Sequence, residues 1–453
     1  MENSAGVAVI PRLRRVLTLW DLIIYGIIAV TPSAPVTVFG LAVARSRGHA
    51  VDTILIAMVA MLLTAFSYGR MAALYPSAGS AYTYVGRGIN PHLGFLAGWA
   101  MLLDYILIPL FCTMFGTLTL HRLVPEVPFP ILAAVFVGFM TFLNLRGVRA
   151  TARANEVLLS VMLVVLFTFI VLAIRYLFHA TGWRGIFSTM PFYNPETFDF
   201  RAIQSATAFA ALTYTGFDAV TTLAEDVKNP KRSVLVATVL VCLFTGLFGG
   251  LLVYLGQLVW PDYQSYTNIE TAFMDMSQRV GGPLLFQGMS LILVIAMLGS
   301  GLAGQVGAGR LLFGMGRDSV LPKRPFAYLD PKRNNPSFNI WMIGIIAYFG
   351  SVSLSYELAG ELLNFGAFLS FMGVNLAAVY QLYFVGKPRD QRRLLTDAIL
   401  PGLGFLFCSW IWWNLAIPAK IVGGFWILAG IIFAAVKTKG FRRAPVMVDF
   451  SDA

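Results

Sequence analysis

The chain has 453 residues, of which 58% are hydrophobic and only 12% are charged, and its mean hydropathy is +0.74. This composition excludes a water-soluble globular protein and is typical of an integral membrane protein. The net charge of +11 does not require a nucleic-acid partner, because a polytopic membrane protein collects Lys and Arg in its cytoplasmic loops.

Apolar runs that could cross a bilayer recur along the whole chain, since about 20 residues suffice for one helical span. Twelve transmembrane helices are predicted, at 18–42, 51–74, 93–121, 128–145, 156–178, 203–226, 233–259, 283–314, 337–355, 359–385, 396–416 and 421–438. If the N-terminus is cytoplasmic, most Lys and Arg residues fall in segments on the cytoplasmic side of the membrane. This bias predicts that both termini are cytoplasmic and that the protein is a multi-pass protein of the inner membrane.

These runs divide the chain into five parts. They are a cytoplasmic N-terminal segment at 1–17, a five-helix block at 18–178, a second five-helix block at 203–385, helices 11 and 12 at 396–438, and a cytoplasmic tail at 439–453. No connecting stretch is long enough for a soluble catalytic domain. Neither GxxxxGK[ST] nor HExxH occurs, so we expect no enzymatic activity, no cofactor and no metal site.

Two predicted helices contain interruptions. Predicted helix 1 carries GIIAVTPSAPV at 26–36, where Pro32 and Pro35 each remove a backbone donor and clash with the preceding turn. Predicted helix 6 carries TYTGFDAV at 213–220, where Gly216 stands among polar neighbours. Broken backbone at membrane depth usually lines a cavity, because the freed polar groups find no water in lipid.

The two interruptions are separated by five predicted spans, and an odd number of spans inverts the second block relative to the first. This is the inverted-repeat arrangement of secondary transporters, in which two broken helices meet near the midplane. The alternative is a pair of ordinary kinks, since Pro and Gly are common in membrane helices.

Several segments, in order, resemble the amino acid, polyamine and organocation (APC) superfamily of transporters. They are YPSAGSAYTYV (75–85), NLRGVRATARANEV (144–157), GFDAVTTLAEDVKNPKRS (216–233), GRLLFGMGRDSVLP (309–322) and LLNFGAFLSF (362–371). LTLWDLIIYGIIAVTP (17–32) and INPHLGFLAGWAMLLDY (89–105) resemble bacterial putrescine importers most. The resemblance implies an all-α LeuT-type fold, a 5+5 inverted repeat plus two extra helices, with alternating access driven by protons or by exchange.

The sequence departs from the superfamily's pattern at two places. Amino acid carriers usually have Gly-x-Gly at the helix 1 break, and its amides hold the substrate carboxylate; the aligned residues here are Val30, Thr31 and Pro32. Pro32 has no N–H to donate, which favours an amine without a carboxylate.

The second departure is in helix 5. Some relatives place a Lys there at the sodium position of sodium-driven transporters. This chain has Met162 there, so no sodium site is assumed.

Asp104 is the main candidate for recognition of a cationic substrate. It lies about 16 Å along predicted helix 3, close to mid-membrane, where a charge needs a partner or a wet cavity. Tyr105 beside it can contact an alkylammonium group. The alternative is a carboxyl that bonds to a neighbouring helix or stays neutral.

Asp218 has two compatible interpretations. It follows the break in helix 6, where its side chain could cap the free amides of Val220 or Thr221, and it could also meet a substrate cation. Glu225, Glu361 and Phe365 are candidates for gates or for proton coupling; Glu361 begins helix 10 on the outer side, where it could alternatively be a partner of the helix dipole.

These observations predict a secondary transporter that imports a small amine-bearing solute, most favourably a polyamine such as putrescine, with protons. The residues expected to line its site are Ala29, Val30, Thr31, Pro32, Ser33, Asp104, Tyr105, Leu212, Thr213, Tyr214, Thr215, Gly216, Phe217 and Asp218. An amino acid permease for cationic or neutral substrates, or an exchanger of the same fold, is the alternative. A channel or a transporter-like sensor is more remote. Membrane lipid is the only other partner expected, and the oligomeric state is left open.

Overall fold

A computed structural model of the chain describes residues 17–76, 79–147, 152–224, 226–317, 321–331, 333, 335–385 and 388–443. Within these ranges the protein is all-helical apart from an isolated β-bridge between Leu17 and Val227. The α-helices are α1 (Leu19–Val30), α2 (Ala34–Arg45), α3 (Ala50–Leu74), α4 (Ser80–Gly88), α5 (Pro91–Leu123), α6 (Phe129–Leu145), α7 (Ala152–Ile186), α8 (Phe200–Ala210), α9 (Ala219–Thr222), α10 (Pro230–Val259), α11 (Ala272–Arg317), α12 (Lys323–Phe326), α13 (Ser337–Ser353), α14 (Tyr356–Val379), α15 (Leu400–Trp413) and α16 (Ile417–Lys437).

Eight of the described helices are long and apolar enough to cross a membrane, and α1 with α2 makes a ninth span that is bent by 44°. α6 and α13 are apolar but have 17 residues each, which corresponds to about 25 Å of helix. They occupy the predicted spans at 128–145 and 337–355. Predicted helix 6 is divided into α8, a 3-10 turn over Ala211–Tyr214, and the four-residue α9.

Two elements differ from the predicted runs. α4 was not predicted, because its nine residues are too few and too polar for a span. α11 begins eleven residues before the predicted start at 283. Gly282 adopts a positive φ of 66° just before Pro283, so the chain turns there and separates a short helix from the membrane-spanning part.

The central helices are α5 and α14. Within their most apolar windows, 78% of α5 and 72% of the segment that begins with α14 are buried, against 28% for α7 and 22% for α16. α5 packs against α11 and α14, so side chains at its middle lie deep in the protein. The outer helices instead present apolar side chains to the surrounding lipid.

α16 is fastened to α5 by a reciprocal pair of tryptophans. Trp99 Nε1 donates to the Trp426 carbonyl and Trp426 Nε1 donates to the Trp99 carbonyl, both at 2.9 Å. The two rings stack with centroids 5.1 Å apart. Because each indole N–H donates to a backbone carbonyl of the other helix, α16 is held to α5 at the centre of the bundle.

α3 and α10 approach each other closely at Gly69. A Cβ atom at this position would overlap the backbone Cα of Leu235 on α10. Gly138 on α6, in contrast, has no atom within 4 Å of the place where a Cβ would stand. Alanine substitutions at the two glycines therefore distinguish two effects on stability. The change at Gly69 reports on helix packing, and the change at Gly138 reports on intrinsic helix propensity.

We expect Gly69→Ala to destabilise the protein by about 1–3 kcal/mol, because overpacking forces the two backbones apart. Gly138→Ala should be neutral or slightly stabilising, since Ala is the better helix former. Thermal unfolding of the two purified variants in the same detergent measures the difference. Equal midpoints for both variants would contradict the close packing of α3 and α10.

Candidate functional site

The break in predicted helix 1 covers residues 31–33, where α1 ends and α2 begins. Thr31 has a positive φ of 62°, which is uncommon outside glycine. Its N–H bonds to the Ile27 carbonyl at 3.0 Å. The following carbonyl, that of Ile28, has no helical partner because Pro32 lacks an N–H. The interruption predicted from the two prolines is confirmed.

The break in predicted helix 6 is built from tight turns in place of α-helical hydrogen bonds. Successive i to i+3 bonds run from Thr215 N to Leu212 O, Phe217 N to Tyr214 O, Ala219 N to Gly216 O and Thr221 N to Asp218 O, at 2.9–3.3 Å. This pattern shortens the second half of the helix to α9. Gly216 has a φ of 99°, a conformation that favours glycine.

The two breaks touch each other. A Cβ atom on Gly216 would lie 2.8 Å from the carbonyl oxygen of Ala29 in the last turn of α1. Only a glycine allows this approach, because any side chain would meet the Ala29 backbone. The interrupted segments therefore form one continuous region of irregular backbone inside the bundle.

Asp104 and Asp218 both lie at this region. Asp104 on α5 is 9% exposed, and Asp218 is close enough for its charge to act on Asp104 and on the hydroxyl of Tyr105. Tyr25 on α1 and Tyr68 on α3 also lie within the electrostatic reach of Asp218. The two acids thus lie within electrostatic range of each other, and three tyrosines from three helices lie within the range of Asp218.

Several polar atoms of this region are buried but make no hydrogen bond within the protein. They are Ser33 Oγ, Tyr68 Oη, Asp104 Oδ1 and Thr213 Oγ1. A buried polar group without a partner costs about 1–3 kcal/mol, so such groups mark places where a ligand or water completes the bonding. All four oxygens can accept a hydrogen bond, which suits a ligand that carries N–H groups.

An aromatic cluster covers the site on the side of α9. Phe217 is fully buried, and its ring lies 5.5 Å from that of Tyr68 and 5.2 Å from that of Phe371 on α14. Tyr84 on α4 packs edge-on against Tyr68 at 5.9 Å. Phe217, which is predicted to be a wall of the site, lies in this cluster.

A second aromatic cluster covers the opposite side. Tyr356 on α14 stacks on Phe111 of α5 at 5.0 Å and meets Phe209 of α8 at 5.7 Å. Phe111 lies seven residues after Asp104, hence on the same face of α5 two turns away. Sequence reasoning missed this cluster, although the spacing from Asp104 to Phe111 was its visible signal.

A buried ion pair on α14 joins four segments. Glu361 on α14 is fully buried; its Oε1 accepts from Arg45 Nη1 at 2.6 Å and its Oε2 accepts from the Ala416 N–H at 2.6 Å. Arg45, at the end of α2, also donates to Ser205 of α8 at 3.1 Å. Glu357 lies 3.4 Å from the same guanidinium but is half exposed. Glu361 therefore links α2 and α8 to the start of α16.

Three predicted site residues point elsewhere. Tyr214 donates its hydroxyl to the Ile54 carbonyl of α3 at 2.8 Å, and Leu212 lies against Gly360 of α14. Phe365 packs on Trp412 of α15 at 5.3 Å, away from both breaks. These side chains hold helices together and do not join the cluster around Asp104.

The structure differs from the predicted capping role of Asp218. The Asp218 side chain makes no capping hydrogen bond; its backbone carbonyl accepts from Thr221 instead. The capping interpretation is therefore wrong for this structure, which leaves the carboxylate available to a ligand.

Glu225 lies outside the described residues. Within the described part of the chain, no three His, Cys, Asp or Glu side chains are grouped closely enough to hold a metal.

Comparisons with a family model and with individual proteins point to the same family. The model of the amino acid permease family matches residues 34–440. The chain is 32% identical to the low-affinity putrescine importer PlaP of Escherichia coli over 95% of both chains. It is 26% identical to the branched-chain amino acid permease BcaP of Lactococcus lactis, over 92% of this chain and 93% of the relative, and 26% identical to the methylthioribose transporter of Bacillus subtilis over 95% of both.

The matched region begins at residue 34, directly after the helix 1 break, and contains the helix 6 break together with Asp104, Asp218 and Glu361. The family is one of transporters and not an enzyme class, and the relatives confirm the resemblance that the sequence motifs indicated. The chain is a multi-pass membrane protein that belongs to the amino acid permease family of the APC superfamily.

Proposed function

We propose that the protein is a proton-coupled secondary transporter that imports a small diamine such as putrescine across the inner membrane by alternating access. It has twelve spans with both termini in the cytoplasm, two inverted five-helix repeats at 18–178 and 203–385, and two additional helices. The observation that carries the substrate proposal is the pair of acids at the helix breaks. Neither Asp104 nor Asp218 forms an ion pair with the described residues.

The packing of the helices supports the inverted repeat. Helices that are five spans apart pack side by side: α2 with α8, α3 with α10, α5 with α11, and α6 with α13. These pairs correspond to predicted helices 1 and 6, 2 and 7, 3 and 8, and 4 and 9. Equivalent helices of two repeats meet in this way when the repeats are related by an axis that passes between them.

Two unpaired acids in one buried site suit a substrate with two positive ends. A buried carboxylate requires a counter-charge, and a diamine supplies an ammonium group for each acid. The carbonyl freed at Ile28 and the unpartnered oxygens of Ser33 and Thr213 can accept the remaining N–H donors. Tyr68 and Phe217 provide an apolar and aromatic wall for the methylene chain.

The backbone at the helix 1 break argues against a substrate carboxylate. Pro32 and Pro35 have no N–H, and the amides of Thr31 and Ala34 already bond to the Ile27 and Thr31 carbonyls at 3.0 Å. Few amides therefore remain to hold an anionic group. An amino acid substrate, as the name of BcaP indicates for that relative, would need a different carboxylate partner.

The ion pair of Arg45 with Glu361 is proposed as the outer gate. It ties α2 and α8, the outer halves of the two broken helices, to α14, on which Tyr356 of the second aromatic cluster also lies. On the inner side, Leu17 pairs with the segment after α9 through hydrogen bonds of 3.0 and 3.1 Å. Both entrances are held shut by bonds that must break in turn during alternating access.

We expect Asp104→Asn to reduce kcat/KM for putrescine uptake by about 100-fold, because loss of one partner of a desolvated charge pair costs about 2–5 kcal/mol. Asn has nearly the same shape, so expression and thermal stability should be unchanged. Uptake into proteoliposomes measures the effect, with Glu126→Gln, an exposed acid beyond the end of the same helix, as the matched control. Normal uptake by Asp104→Asn would refute the substrate site.

Competition should separate the diamine from the amino acid alternative. With labelled putrescine in proteoliposomes, we expect unlabelled putrescine and related diamines to compete and arginine, alanine and serine to have little effect, since the site lacks amides for a carboxylate. An acidic exterior should stimulate uptake if protons are coupled. Inhibition by the amino acids alone would favour the permease alternative, and flux without counterflow would indicate a channel.

The outer gate predicts opposite behaviour of two neighbouring glutamates. Glu361→Gln should destabilise the outward-closed state by about 3–5 kcal/mol, because Arg45 loses a buried partner. Glu357→Gln, which alters a half-exposed pair with the same arginine, should cost less than about 1 kcal/mol. Labelling of Ser33→Cys by a membrane-impermeant maleimide reports the opening. Equal labelling rates in the two backgrounds would be inconsistent with a gate at Glu361.

A further inference from the structure

A cavity of about 340 Å³ that is lined by charged and aromatic side chains lies apart from the central site. It is bounded by the end of α5, the end of α10, the segment 260–271 that joins α10 to α11, and the first turns of α11. The joining segment rests on α2, because a Cβ on Gly40 would overlap the Ile269 carbonyl and Phe39 stacks with Tyr266 at 6.3 Å. The cavity therefore lies at the end of the protein that carries the Arg45–Glu361 pair.

The cavity carries an excess of positive charge. Its walls contain two guanidinium groups, of Arg122 and Arg279, and one carboxylate, that of Asp275. Arg122 donates to Asp275 through Nη2, while its Nε is buried and has no hydrogen-bond partner. Asp275 also interacts electrostatically with Arg279. One carboxylate thus faces two cations, and one buried N–H donor has no acceptor.

Arg279 is held in place by an aromatic ring. Its Cζ lies over the Trp260 ring, 3.4 Å from the centroid, and the Trp260 Nε1 donates to Ser265 Oγ at 2.7 Å, which fixes the indole. A guanidinium that rests on a ring keeps the N–H groups along its edge free for an anion. The nearby acid Asp262 accepts from the Gln264 N–H at 3.1 Å and does not line the cavity.

We propose that this cavity is an oxyanion-binding site in which Arg122 and Arg279 hold a carboxylate or phosphate group. Planar guanidinium forks match the geometry of these anions, and a bound anion completes the bonding of Arg122. A bound anion connects the segment 260–271 to α5 and α11. Because that segment also lies on α2, which carries Arg45 of the proposed outer gate, the anion favours the outward-closed state. Access from outside the cell rests on the proposed topology; binding itself does not depend on the transported substrate.

Binding can be measured on the purified full-length protein in detergent. Inorganic phosphate and succinate are titrated at constant ionic strength, with chloride as the reference, while the unfolding midpoint and the binding of labelled phosphate are followed. We expect saturable binding and a rise of the midpoint in the wild type. Arg279→Gln should weaken binding by about tenfold, the loss of one charge-assisted contact. Arg201→Gln, an exposed arginine on α8, should leave binding unchanged.

A second arm identifies the source of the anion. The wild type and Arg279→Gln are compared in nanodiscs of phosphatidylglycerol and of phosphatidylcholine. Stabilisation by phosphatidylglycerol that needs Arg279, without an effect of free phosphate, assigns the site to a lipid headgroup. No stabilisation in either arm, or equal stabilisation of both variants, would overturn the oxyanion site. Putrescine uptake by Arg279→Gln in anion-free buffer is measured separately, so a failure of the transport proposal is recognised independently.

Discussion

The contact between Gly216 and the Ala29 carbonyl is the constraint on which the rest of the site depends. Lipid offers no hydrogen bonds, so an interrupted helix persists in a membrane only where other protein groups surround it. Gly216, with a φ of 99° and no side chain, lets the second break lie directly on the last turn of α1. This junction places the carbonyls freed by Pro32, the tight turns after Leu212 and the carboxylate of Asp218 in one region.

The distribution of buried charge follows from the same junction. Towards the ends of the bundle, buried acids are neutralised by arginine: Glu361 by Arg45 at 2.6 Å and Asp397 by Arg70 at 2.9 Å. Such pairs recover part of the desolvation cost and fix neighbouring helices. Asp104 and Asp218 at the centre have no such cation among the described residues. In the proposed transport site, a ligand or protons would supply the counter-charge that arginine supplies in these structural pairs.

Much of this arrangement could be predicted from sequence, because the spans and breaks are local. Apolar length located the nine spans of the described helices that are long enough to cross a membrane, and Pro32 and Gly216 located the breaks. Contacts between distant helices could not be predicted. The cluster of Tyr356 with Phe111 combines residues about 245 positions apart, and apolar periodicity does not identify which aromatic side chains will meet. Tyr214 was assigned to the site because it precedes Gly216, but the 3-10 turn directs its hydroxyl to Ile54.

The last two helices, α15 and α16, have a physical role in the proposed gate. Glu361 holds Arg45 with one carboxylate oxygen and the Ala416 amide with the other, and α16 is bonded to α5 through Trp99 and Trp426. In the proposed gate, Glu361 would lose the guanidinium when α2 moves outward but would keep the amide, so the buried carboxylate would not be left without a donor. Opening would then cost less than for an acid with a single partner, and we propose that α15 and α16 form the stationary side of the gate.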